Sequence, residues 1–335
     1  MNDRPSIGVI GLGHWGPNLM RNYNAMGVLG AFCDASPAAL DKAKAAYPDA
    51  TAHDSPEALF ADPSIAGVAI ATPAVTHAEM VRRALAAGKH VFVEKPLCLD
   101  IAEAETLKAE AESVGLKLMV GHLLLYHPAF QALQNQVAAG KLGTLRYIYS
   151  NRLSLGKIRR EENALWSFAP HDISMILALA GSLPDEISGT ASGHLTPGIA
   201  DTTLTHLQFS NGLAAHIFVS WLHPYKEHRL VVVGENGMAV FNDAASGPEK
   251  LLMYRHTVGW DGDIPIVQKA DATPIAYGDA EPLRNECETF LKVITEDLVP
   301  PSDAAEGIRV LKVLDACRRA IESGRNIPLA GADKA

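Results

Sequence analysis

Lys95 follows a short apolar run, His90-Val91-Phe92-Val93, and stands between Glu94 and Pro96. If that run is a strand of a doubly wound sheet, its carboxyl end faces the ligand crevice and Lys95 lies beside whatever binds there. Burial and a neighbouring positive ring both lower a lysine pKa. An amine tuned in this way can bond a reacting hydroxyl and shuttle its proton. The alternative is an ordinary surface lysine after a strand. His171 is a second candidate proton carrier. Proline suits the first position of a helix, so Pro170 is expected to place His171 in a first turn. There the positive end of the helix dipole lowers an imidazole pKa, and a neutral ring can accept a proton. The alternative is a histidine packed at a helix start with a backbone partner.

The first 34 residues have the layout of a dinucleotide site. Ile7-Gly8-Val9-Ile10 is apolar, Gly11-Leu12-Gly13-His14-Trp15-Gly16 follows directly, and a helical pattern opens at about Pro17. A second apolar run over 28–33 stops at Asp34. In such a unit Gly11 permits a tight turn, Gly13 lets a pyrophosphate approach the backbone, and Gly16 lets helix and strand pack closely. The helix start turns free N–H groups toward the phosphates. Asp34, 18 residues past Gly16, is placed to accept from both hydroxyls of an adenine ribose. Ala35-Ser36-Pro37 follows it, with no arginine for a 2′-phosphate, so NAD is expected over NADP. A glycine turn in an ordinary βαβ unit is the alternative.

Alternating elements must hold these groups. Strands are predicted over 6–11, 28–33, 67–71, 90–93 and 117–121, and helices over 16–26, 36–46, 55–60, 76–87 and 100–114. Asp100 and Glu103 form a start signal and Gly115 a stop for the last of these helices. Short apolar strands alternating with helices imply a parallel sheet covered on both faces. After residue 122 the texture changes. A helix over 127–139 leads through Gly140 and Gly143 to a strand over 144–152, and a helix is predicted from Pro170 to Ala180. Strands are then predicted over 186–193, 201–210, 213–221, 228–233, 237–242 and 249–255, with Asn211-Gly212 as a hairpin signal. Helices over 283–295 and 303–323 close the chain. The expected fold is α/β, with an N-terminal Rossmann domain over 1–122. A C-terminal α+β domain over 123–335 carries an open, mostly antiparallel sheet, and the two late helices are candidates to pack back on the first domain. One face of that sheet is expected to join subunits as a homodimer or homotetramer.

Bulk properties narrow the partners. The chain has 335 residues, 48% of them hydrophobic, and a net charge of −9. That length suggests two domains, and that charge gives no support to a nucleic-acid partner. An anionic substrate has to be met by local Arg or Lys. Cys33, Cys98, Cys287 and Cys317 are scattered, so neither a metal site nor a disulfide framework is expected, and a cytoplasmic setting fits. No signal-peptide pattern and no bilayer-spanning apolar stretch is present, so no membrane partner is expected.

Four motifs in order carry a resemblance. They are Gly11-Leu-Gly-His-Trp-Gly16, Ala71-Thr72-Pro73 with His77 following, Glu94-Lys95-Pro96, and His171-Asp172. Together, over nearly the whole chain, they resemble the Gfo/Idh/MocA oxidoreductases. The resemblance implies Thr72, Pro73, His77 and Glu94 lining the NAD, with Gly11, Gly13, His14, Trp15, Gly16, Asp34, Ala71 and Lys95 as the other expected cofactor contacts; His122 is expected at the end of the fifth strand, near the nicotinamide. It implies Lys95 and His171 as catalytic groups flanking a reacting carbinol. The stretch from Gly121 to Asp172 is most similar to UDP-N-acetylglucosamine 3-dehydrogenases. These form a 3-keto sugar that a partner aminotransferase then converts to an amine. Many relatives carry an Asp four residues before the histidine, where this chain has Ser167. A serine can bond the ring or the substrate but supplies no charge. Asp172 is expected to serve the helix N-terminus.

Arg152, Arg159 and Arg160 are candidates for a pyrophosphate, since guanidinium forks match phosphate oxygens. A solvated charge run with Glu161 and Glu162 is the alternative. Tyr149, Asn163 and Trp166 are candidates for uracil or sugar contacts, or for packing. His127, His206 and His216 lack metal-ligand spacing and are expected to be structural. The expected reaction is NAD-dependent oxidation of a nucleotide-sugar hydroxyl. The rivals are an inositol or hexose dehydrogenase, and an NAD-binding sensor or scaffold without catalysis.

Overall fold

The structure is a computed structural model that describes residues 4–329. The chain divides into two compact units, Met1–Tyr126 with Ala280–Leu311, and His127–Asp279 with Lys312–Ala335.

The first unit alternates β1 (Ser6–Ile10), α1 (Gly16–Ala25), β2 (Leu29–Cys33), α2 (Pro37–Ala46), β3 (Thr51–His53), α3 (Pro56–Ala61), β4 (Ile65–Ile70), α4 (His77–Ala86), β5 (His90–Glu94), α5 (Ile101–Ser113) and β6 (Leu118–Gly121). The helix starts follow local chemistry. Ser36, Ser55 and Asp100 each accept the backbone N–H three residues on, and Pro37 and Pro56 occupy first positions. All strand pairs are parallel, in the order β3-β2-β1-β4-β5-β6. The order reverses between β1 and β4, which is where such a sheet opens its ligand crevice. Val9, Val68, Val91 and Val93 are fully buried, as a sheet covered on both faces requires.

The second unit begins with α6 (Pro128–Ala138), β7 (Leu145–Leu153) and α7 (Ala164–Ala180). Then come β8 (Glu186–Ser192), β9 (Thr202–Gln208), β10 (Ala214–Ser220), β11 (Glu227–Gly234), β12 (Gly237–Asn242), β13 (Leu251–Tyr254), β14 (Thr257–Asp261), β15 (Ile264–Gln268) and β16 (Thr273–Pro274). After these the chain forms α8 (Pro282–Thr295), α9 (Ala304–Ser323) and β17 (Ile327–Pro328). The nine-stranded sheet runs β16-β13-β12-β11-β7-β10-β9-β8-β17, antiparallel except for β7 with β10. Asn211-Gly212 makes the turn between β9 and β10, with Gly212 at φ +84°. Helix α7 covers one face of this sheet through β7, β9 and β10. Helix α8 belongs to the first unit, where Phe290 meets Phe92 of β5 at 5.9 Å.

The predicted α/β plus α+β fold is present, with differences at the two-residue strands β16 and β17, which were not predicted, and at three further places. β3 was not predicted, because three residues, Thr-Ala-His, hold no apolar run. The β14–β15 ribbon was not predicted either, although Val258 and Trp260 on one side and Ile264 and Ile266 on the other alternate about the Gly262-Asp263 turn. Helix α7 starts at Ala164, six residues before Pro170. Its cap is Asn163, whose side chain accepts from the Trp166 N–H at 3.1 Å. Proline inside a helix forfeits one hydrogen bond and is more often found at its start, so Pro170 imitated a beginning.

Candidate active site

In the first unit the glycine turn has three distinct roles. Gly11 sits at φ +92°, and a Cβ there would lie 2.7 Å from the Ala71 carbonyl. A Cβ on Gly16 would lie 1.9 Å from the Gly11 oxygen. Over Gly13 nothing stands within 4 Å of that point, so the turn opens onto free space. No side chain caps the start of α1; Pro17 carries no N–H and Asn18 N bonds the Trp15 carbonyl at 2.9 Å, which leaves the Gly16 N–H to face an anion. The Asp34 carboxylate accepts from Leu12 N at 2.6 Å and from Ser36 N at 2.7 Å, which fixes it at the lip of the turn. An open cradle, an uncapped helix start and a held carboxylate fit a dinucleotide.

His77 is fully buried between two carbonyls, Pro96 O at 2.7 Å from Nδ1 and Thr72 O at 2.9 Å from Nε2. Burial pushes its pKa down, so the ring is neutral and donates to one carbonyl at a time. It lies between the Ala71-Thr72-Pro73 segment and the turn carrying Lys95 and bonds one or the other. Burial lifts the Glu94 carboxyl to about 7, against the opposing pull of the Lys95 charge. His122, buried just past β6, pairs through Nδ1 with Glu306 of α9 at 2.5 Å. Sequence reasoning missed Glu306. Its one signal was the start pattern Asp303-Ala-Ala-Glu306, in which Asp303 accepts the Glu306 N–H at 2.8 Å.

In the second unit His171 lies two turns inside α7, half-buried, with Ser167 one turn before it and buried. The dipole effect is confined to the first turn, so the expected first-turn influence on His171 is withdrawn. The same correction applies to Asp172. It accepts from Arg152 Nε at 2.8 Å, Arg152 Nη2 at 3.2 Å and Ser150 Oγ at 2.6 Å, and does not serve a helix start.

Arg152 is therefore not free for a pyrophosphate. Alternation along β7 puts Ile148, Ser150 and Arg152 on the face covered by α7, and Arg152 is 5% exposed. Its Nη1 reaches His228 Nδ1 at 3.2 Å, and His228 lies beside Asp243. Against its burial, the hydrogen bond from His228 and then the Arg152 and Lys250 charges hold the Asp243 carboxyl far below the usual range. Tyr149 lies on the opposite face, stacked on His216 at 5.4 Å, away from α7. Arg159 is held by Glu162 at 3.0 Å, whereas Arg160 is exposed. Asn163 is occupied as the cap of α7, and Trp166 is half-buried in its first turn. Among the described residues no three His, Cys, Asp or Glu side chains group as a metal site. None of the described helices is long and apolar enough to cross a membrane.

Comparison with known proteins gives two family matches. Residues 6–122 match the model described as oxidoreductase family, NAD-binding Rossmann fold, and residues 130–240 match the GFO/IDH/MocA C-terminal domain. The chain is 30% identical over 318 residues to the UDP-N-acetylglucosamine 3-dehydrogenase of Acidithiobacillus ferrooxidans, covering 94% of this chain and 97% of that one. A solved structure of that enzyme superposes with a TM-score of 0.84 at 28% identity, covering 95% of this chain and 97% of that one. The inositol 2-dehydrogenase of Rhizobium meliloti is 26% identical over 318 residues, 92% of this chain and 93% of that one.

Proposed function

The chain belongs to the Gfo/Idh/MocA family of NAD-binding oxidoreductases, and from that premise we propose that it oxidises UDP-N-acetylglucosamine to its 3-keto derivative. NAD, when bound, accepts the hydride from the sugar carbon. Lys95 bonds the reacting hydroxyl, and Lys95 and His171 together manage its proton. His77 holds the Lys95 turn when its ring N–H donates to the Pro96 carbonyl. Ser167, one helical turn before His171, is a neutral polar group where many relatives have a carboxylate, so the pair with His171 carries no fixed charge.

The observation that carries the substrate is the end-to-end likeness to the Acidithiobacillus enzyme, through both units. The inositol 2-dehydrogenase match, nearly as long, supports a free polyol as the second reading. NADH formation across a panel of UDP-sugars and free polyols, with products identified by mass, separates the two. Turnover of UDP-N-acetylglucosamine to a 3-keto product is expected. Turnover of inositols alone overturns the proposal, and NAD binding without turnover of any alcohol returns the sensor reading. The 3-keto product is a substrate for an aminotransferase, the partner reaction proposed here. A cytoplasmic enzyme, joined as dimer or tetramer through the open sheet face, completes the reading. It is supported by the four cysteines, all buried and free, and by half-exposed Tyr147, Tyr149 and His216 on that face.

A further inference from the structure

Glu286 of α8 has no part in the chemistry above, yet it is the most confined carboxyl in the first unit. It is 0% exposed, and no hydrogen-bond donor reaches either of its oxygens. A buried carboxylate without donors is costly, so such a group stays neutral or finds a partner of another kind. The packing of α8 on β5 supplies the partner. Phe290 meets Phe92 at 5.9 Å. Glu94 stands two residues beyond Phe92 on the same side of the strand, about 6.6 Å along it. Glu286 stands four residues before Phe290 on the same side of the helix, about 6 Å along it. The two carboxyls therefore form the next rung of the Phe92–Phe290 contact, and the Glu94 charge opposes ionisation of Glu286. Gly121 of β6 makes room for the Glu94 carboxyl, since a Cβ there would lie 2.9 Å from Glu94 Oε2.

We propose that Glu286 is kept as a neutral acid that donates its O–H to the Glu94 carboxylate, a positioning residue that sets the negative charge beside Lys95 for NAD binding. The other titratable groups packed around it are Tyr23 of α1, Tyr126 of the turn after β6, and Cys287 on α8 itself. Burial raises all three, so they remain protonated near neutral pH and leave the two carboxyls to titrate beside the Lys95 charge. Two carboxyls sharing one proton give up the first more readily than an isolated buried acid would, and retain the second. The inference rests on NAD as the cofactor and is independent of the sugar.

The test uses NAD binding and infrared spectroscopy on the whole chain. At about pH 8, where ordinary carboxyls are ionised, the wild type should keep a protonated carboxyl band. Glu286→Gln should remove that band. NAD affinity, followed by fluorescence, should strengthen as pH rises through the ionisation of Glu94. Glu286→Gln retains a donor and should keep this profile. Glu286→Leu retains none, so Glu94 ionises later and NAD binding at pH 7 weakens on the order of tenfold, the equivalent of one pH unit. Absence of the band in the wild type overturns the proposal, as do identical profiles for the Gln and Leu variants. The wild-type spectrum decides the matter even if a variant does not fold. Failure of the wild type to bind NAD at any pH overturns the cofactor reading itself, whereas binding without these signatures overturns the carboxyl pair alone.

Discussion

Arg152→Met should damage stability and spare substrate affinity. The guanidinium is 5% exposed and Asp172 is 0% exposed, with Nε and Oδ2 2.8 Å apart. At that distance and an effective dielectric of about 20, the attraction is about 6 kcal/mol before desolvation is subtracted. Removing the arginine leaves a buried carboxylate with Ser150 Oγ as its remaining close donor. Breaking such a pair costs about 3–5 kcal/mol, a large share of an ordinary domain's 5–15 kcal/mol or so. Urea unfolding followed by near-UV circular dichroism should show the second unit melting at a markedly lower midpoint. Changing both partners, Arg152→Met with Asp172→Leu, should recover most of that loss, because no charge is left stranded. An arginine that gripped a pyrophosphate would behave in the opposite way, with an unchanged midpoint and a raised KM. That outcome would refute the assignment of Arg152 to the interior.

Three further outcomes follow from the first unit. Lys95→Ala should lower kcat by about 10²–10⁴-fold, the usual worth of a general acid–base group, while NAD binding measured by fluorescence is retained; a near-normal rate removes Lys95 from the chemistry. Gly13→Ala should keep the wild-type melting temperature but lose NAD affinity, since its methyl group enters open space, whereas Gly16→Ala should lose both because its methyl would strike the Gly11 carbonyl. Equal melting temperatures for the two variants would contradict this contrast. Asp34→Ala should relax the preference for NAD over NADP, and unchanged discrimination in steady-state assays would count against a ribose-binding carboxylate.

Much of the fold was legible because the first unit obeys local rules. Caps, prolines and apolar runs agree with the tertiary structure at α2, α3 and α5, and the glycine turn has the steric reasons its spacing implies. The site was less legible, for reasons of direction. Residue type says what a side chain can do, but alternation along β7 decides that Arg152 points under α7 and Tyr149 points away from it. Pro170 shows the same limit for helices. One proline in the interior displaced the predicted start of α7 by six residues, and with it the electrostatic reading of both His171 and Asp172. Glu286 and Glu306 were invisible for a different reason. Both lie more than 180 residues from the groups they face, Glu94 and His122, and only the fold brings them there.

These corrections concentrate the question of the substrate on one residue. With Arg152 committed to Asp172, and Arg159 held by Glu162 at 3.0 Å, Arg160 is the exposed guanidinium of the original three. A chain with a net charge of −9 offers an anionic ligand little help from its overall field. If the substrate carries a pyrophosphate, loss of a charge-assisted hydrogen bond at Arg160 is worth about 1.5 kcal/mol at an exposed site, or about tenfold in affinity. Arg160→Ser should therefore raise KM for a UDP-sugar by roughly that factor, with kcat little changed and the effect shrinking as salt is added. A free polyol presents no charge, so its KM should not move. Equal KM values for wild type and variant on the UDP-sugar would show that Arg160 does not meet the phosphates, and the polyol reading would gain on the nucleotide-sugar one.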